Sequence, residues 1–143
     1  MTAEIRIRRL LIAGLVAGLI MNLGEAALHA GVLGEATTAA YAALNRTVEP
    51  DAMNLVLLIA LTFAQGVLMA WLYAVSRPGF RSRFTTAMCV GLAAWFLSSV
   101  YAAVYLHAGL PGIFPHNIVW VPAAWQLLEY PLATVAAAAT YRE

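Results

Sequence analysis

Positive charge in this chain is confined to the flanks of four long apolar stretches, and that placement limits the fold more than any motif does. Of the eight arginines, seven lie in three places: Arg6, Arg8 and Arg9 near the start, Arg77, Arg81 and Arg83 in one central loop, and Arg142 at the end. Lysine is absent, and the three histidines, His29, His107 and His116, lie at the opposite ends of the stretches. Arginine-rich segments stay on the cytoplasmic side of a membrane. The expected protein is therefore all-α and polytopic, with four transmembrane helices in an antiparallel bundle. Both termini and the 76–84 loop are expected inside, and the 32–51 and 109–116 loops outside. Arg46 alone departs from the rule, in the company of Glu35, Glu49 and Asp51.

Composition agrees with this assignment. The chain is 63% hydrophobic and 10% charged, whereas a soluble domain carries about 25% charged residues. Such a chain could not cover its own surface with polar groups. No basic stripe is interleaved with aromatics, so a nucleic-acid partner is not expected. Cys89 stands alone in an apolar run, which rules out an internal disulfide and points to an inert buried thiol. Residues 1–30 have the basic start and apolar centre of a secretory signal. Their cleavage site is poor and the apolar pattern runs on too far, so this segment is expected to be the first span.

Crossing the hydrocarbon core takes about 20 mostly apolar residues. The candidate spans are 10–31, 52–75, 85–108 and 117–141, forming one transmembrane domain over 1–143. Aromatic residues near span ends, Trp71 and Tyr73 inside and Tyr105 and Trp120 outside, fit an interfacial belt. Ser76-Arg77-Pro78-Gly79 marks a short connection between helices. Residues 35–45 are expected to form a helix on the membrane surface, with Tyr41 and Leu44 dipping in. Pro50-Asp51 and Pro115-His116-Asn117 have the pattern of helix starts.

An internal echo is also visible. Residues 27–34 read Ala-Leu-His-Ala-Gly-Val-Leu-Gly, and residues 105–112 read Tyr-Leu-His-Ala-Gly-Leu-Pro-Gly. Each segment ends a span running outward, and each is followed by a span with a glutamine near its middle, Gln65 or Gln126. The expectation is two repeated helical hairpins about an axis along the membrane normal, with His29 and His107 equivalent.

Polar residues mark the faces that should turn inward. Gly14, Gly18, Asn22, Glu25 and His29 are spaced 4, 4, 3 and 4, which places them on one face of a helix. Gly14 and Gly18 form a GxxxG packing contact. Asn54, Thr62 and Gln65 share a face of the second span, and Gln126 and Glu129 share one on the fourth, continuing to Ala133 and Thr140. A charge at the bilayer centre costs about 2.5–3.5 kcal/mol on insertion scales. Asn22, Glu25, Gln65, Gln126 and Glu129 are therefore expected either to join helices by hydrogen bonds or to form a proton or ligand site.

His29, His107, His116 and Glu25 are candidate ligands for a transition metal, because imidazole and carboxylate suit zinc, copper or iron. Haem held between His29 and His107 is an alternative. The bland alternative is that the histidines are polar anchors at the membrane surface. No residues are expected to be catalytic: no glycine-flanked serine, cysteine–base pair or phosphate-cradling loop is present.

Four spans, similar length and a glutamate in the first span make the chain similar to the small multidrug-resistance transporters. Only Glu25 carries that similarity. Glu129, the long outer loop and the histidines depart from that plan.

Three functions remain in view. The leading expectation is a structural or accessory subunit of a bacterial inner membrane, forming a homo- or hetero-oligomer with other membrane helices. The others are a metal- or haem-binding membrane protein and a small proton-coupled carrier using Glu25 and Glu129.

Overall fold

The structure, a computed structural model, describes residues 6–47 and 51–141. The sequence signals at Glu49, Pro50 and Arg142 lie outside the described residues. Among the described residues every regular element is a helix, with no strand. α1 (Ile7–Leu28) passes through a π-turn (His29–Leu33) into α2 (Gly34–Ala43). α3 (Ala52–Ser76) ends in a 3₁₀ turn (Arg77–Gly79). α4 (Arg83–Trp95) continues through a second π-turn (Phe96–Val100) into α5 (Tyr101–Gly109), and α6 (His116–Thr140) closes the chain.

Three helices are long and apolar enough to cross a membrane: Ile7–Ala43, Ala52–Gly79 and Arg83–Gly109. α6 is also 25 residues long, but its two prolines, its aromatics and its polar residues lower its hydropathy. It packs mainly against α4 and α1, and α1 packs in turn against α3.

Local chemistry sets the helix ends. Asp51 caps α3 by accepting a hydrogen bond from the Met53 amide at 2.9 Å, which satisfies one otherwise unpaired amide of the first turn. Ser82 caps α4 in the same way through Thr85. Pro115 stands immediately before α6, where its missing N–H costs nothing. The turn after α2 is made at Asn45, whose φ of 53° is tolerated better by asparagine than by most residues. The Arg46 and Asn45 amides donate to the Tyr41 and Ala42 carbonyls, both at 2.9 Å, a double closure that satisfies the last carbonyls.

One boundary differs from the sequence reading. The first helix does not stop at Gly31 but continues through Ala43, into the stretch expected to form a helix on the membrane surface. The π-turn absorbs Gly31, and the helix runs on as one piece of 37 residues, about 55 Å at 1.5 Å per residue. Tyr41 and Leu44 are exposed. In the echo segment Pro111 stands where Leu33 stands in the first, and a proline cannot continue a helix. That chain therefore turns after Gly109, and the two hairpins diverge at this point.

The bundle is tied by close backbone contacts. A methyl group on Gly14 would lie 2.5 Å from Val67 Cα, and one on Gly66 would lie 2.5 Å from both Gly14 O and Gly18 N. Gly14 and Gly18 thus do pack a helix, with Gly66 completing the contact from α3. Gly91 does the same for α4 against Pro131 of α6, at 2.6 Å. Small residues at such crossings let helices gain van der Waals contact where lipid offers no hydrophobic driving force. The core beside them holds Ala13, Ala17, Met21, Met69, Ala133 and Ala137. Tyr73 belongs to it as well, fully buried and edge-on to Tyr141 at 6.3 Å, so it is a core residue and not an interfacial anchor. Cys89, expected to be buried, is exposed on α4.

Candidate functional site

The α1–α6 seam collects most of the polar residues that share a face in the sequence. Asn22, half-buried, donates to the Gly18 carbonyl of its own helix at 2.8 Å. Glu25 accepts from Gln126 Nε2 across the seam. Its other oxygen lies 3.4 Å from His29 Nδ1. One turn further along α6, Glu129 is buried at 5% exposure and its Oε2 accepts from Trp125 Nε1 at 2.9 Å. Glu129 Oε1 is buried and has no hydrogen-bond partner among the described residues.

Gly24 makes room for this arrangement. A methyl group there would overlap Glu129 Oε2, so the carboxylate lies directly over the α1 backbone. Ile20, Gly24, Trp125, Leu128, Glu129 and Leu132 line a cleft of about 250 Å³ beside it. Leu128 and Leu132 are exposed, so the cleft opens sideways between α1 and α6. On the other side of α6, Gln65 of α3 donates to the Tyr130 hydroxyl at 3.1 Å.

Two residues of the expected α3 face stay outside this network. Asn54 is exposed, and the half-buried Thr62 donates to its own helix at Leu58. Thr140 likewise bonds within α6, to Ala136 O, while Ala133 is a core residue.

The histidines divide into two groups. His29 is 60% exposed and stays with Glu25, and its Nδ1 lies 2.9 Å from the Glu25 carbonyl. His107, in the last turn of α5, and His116, the first residue of α6, have ring centroids 4.9 Å apart at 48°. Trp120, one turn after His116, stands edge-on to His107 at 5.8 Å. The physical reason is the divergence of the hairpins: the first helix continues past His29, while the turn at Pro111 folds α6 back onto α5. Among the described residues no group of three or more His, Cys, Asp or Glu is placed to hold a metal ion. The single centre expected from His29, His107, His116 and Glu25 is therefore not assembled.

The His107–His116 pair opens on a second cavity of about 690 Å³. Its walls include Ala43 at the end of α2, Leu44 just beyond it, and Leu106, Leu110 and Phe114 around the α5–α6 turn.

Four participants were not expected at the site from the sequence: Gly24, Trp125 and Tyr130, and Trp120, which was expected only in the interfacial belt. Trp125 carried a signal, since it precedes Glu129 by four residues and so shares its helix face. Trp120 carried the same signal toward His116, four residues before it; Gly24 and Tyr130 act across helices and carried none. Comparison of the chain with protein-family models, curated proteins and solved structures gives no match in any of the three.

Proposed function

We propose that the protein is a small integral membrane subunit that packs against other membrane chains and has an accessory, structural role. In this reading α6 crosses the bilayer with the other three helices. Its 25 residues are about 37 Å long at 1.5 Å per residue, against a hydrocarbon core of about 30 Å. It also packs between α1 and α4, so it follows them across.

The observation that carries the accessory role is the outer section of α3. Residues 51–61 are exposed on every side, and apart from Asp51 and Asn54 they are apolar. The glycine crossing grips α3 only from Phe63 onward, leaving about three turns not covered by any other described residue. The amide of Asn54 sits on this section without a hydrogen-bond partner among the described residues, and side-chain amides in apolar helices join neighbouring helices. A photo-crosslinker at Leu55 or Leu58 in native membranes tests this, with Leu97 of the α4–α5 helix as control. An adduct of defined mass at α3 alone supports the reading. Lipid adducts alone at all three positions overturn it.

A second reading has one observation in its favour. Glu129 Oε1 is left unpaired inside the bundle, which a purely structural hydrogen-bonding role would not leave. Intramembrane acids are expected at ligand or proton pathways. On this reading Glu25 and Glu129 serve a small proton-coupled carrier. Proton uptake into proteoliposomes under an imposed pH gradient tests it. Uptake lost in Glu129→Gln supports it, and absence of uptake by the unaltered protein removes it.

A further inference from the structure

The α5–α6 turn holds two imidazoles in a fixed relation. α5 stops at Gly109 because Pro111 cannot continue it. Gly112 adopts a positive φ of 77°, which glycine accommodates without steric cost. Pro115 then starts α6, and the Ile118 and Val119 amides donate to its carbonyl at 3.1 and 3.3 Å. His107 and His116 thus project from two helix ends joined by a six-residue connection containing two prolines.

Their spacing is that of two ligands on one ion. With a metal–nitrogen bond of about 2.1 Å and about 1.1 Å from nitrogen to ring centroid, the centroids lie about 4.5 Å apart at a right angle and about 5.2 Å apart at a tetrahedral angle. The observed 4.9 Å lies between these limits. Aromatic packing also operates at such distances, so spacing alone does not decide the matter. Two further observations favour ligation. Both rings are exposed and line the cavity of about 690 Å³. Neither imidazole has a hydrogen-bond partner among the described residues, so the ring nitrogens are not committed to other side chains.

We propose that His107 and His116 together bind one divalent transition-metal ion at the mouth of the outer cavity, its remaining coordination positions being taken by water or by a donor entering from the cavity. Neutral imidazole suits zinc, copper and nickel, and affinity should follow the order Cu²⁺ above Ni²⁺ above Co²⁺. With two protein ligands the ion is exchangeable. The site is independent of the accessory role, because it lies on the α5–α6 turn and not on the outer part of α3. His29 is not part of it.

The test uses the full chain purified in detergent without a histidine tag, titrated with Ni²⁺ or Cu²⁺ while tryptophan emission is followed. Trp120 lies against His107, so a paramagnetic ion bound by the pair quenches it. Saturable quenching at one ion per chain is expected. It should weaken about tenfold or more in His107→Gln and in His116→Gln, and persist in His29→Gln. In Trp120→Phe the quenching should fall while calorimetric Zn²⁺ binding remains. Circular dichroism and elution volume show that each variant is folded. An unsaturated decrease that is the same in the double variant His107→Gln/His116→Gln overturns the proposal. So does binding lost in His29→Gln with both other histidines intact. Cross-linking from Leu55 and Leu58 is read separately, so either proposal can fail without the other.

Discussion

Gly24 on α1 and Glu129 on α6 are in direct contact, with the Glu129 carboxylate lying where a side chain at position 24 would begin. The carboxylate reaches its buried place only because α1 offers bare backbone there. The atom in the way is the end of a side chain, so a methyl group at position 24 would push the carboxylate off Trp125 Nε1 before moving either helix. Gly24→Ala should therefore cost about 1 kcal/mol, the worth of a hydrogen bond. In a Trp125→Phe background, where that bond is already gone, the cost should shrink. A double-mutant cycle of unfolding in mixed detergent measures the difference.

Gly66 presents the opposite case. Its would-be methyl meets the backbone of Gly14 and Gly18, and backbone cannot swing aside. Gly66→Ala should cost about 3 kcal/mol, the upper end for overpacking, and should part α1 from α3. Gly31→Ala is the matched control, since nothing lies within 4 Å of its would-be methyl. The same unfolding assay should show no loss there.

Tyr130 gives Gln65 its hydrogen-bond acceptor. Tyr130→Phe should cost about 1 kcal/mol, within the range found for hydrogen bonds between membrane helices. Adding Gln65→Leu should recover part of it, because an apolar pair leaves no unsatisfied group. A double variant less stable than Tyr130→Phe alone would show that Gln65 has another role.

The sequence revealed what depends on neighbours along the chain. The start of α3 was legible from Asp51, and that of α6 from Pro115, because capping is local chemistry. The Glu25–Gln126 meeting was anticipated in kind, since lipid offers neither residue a hydrogen bond. What stayed hidden depends on contacts between distant segments. Gly66 and Gly91 stand singly in their helices, with no GxxxG spacing to mark them, yet each touches a facing backbone. His29 was grouped with His107 and His116 from their common end of the spans. Pro111 alone decides that the second hairpin turns back where the first runs on, and so separates His29 from the other two. Tyr73 sat near a span end and so had the pattern of a belt residue, but the approach of Tyr141 buries it.

On the proposed reading α6 crosses the membrane beside α1, α3 and α4. Reporter fusions active on only one side of the membrane, placed at both termini and within the Gly112 turn, measure this. Four crossings put both termini on the cytoplasmic side and the Gly112 turn on the other. Termini found on opposite sides would contradict four crossings, because three would leave α6, with Gln126 and Glu129, outside the bilayer.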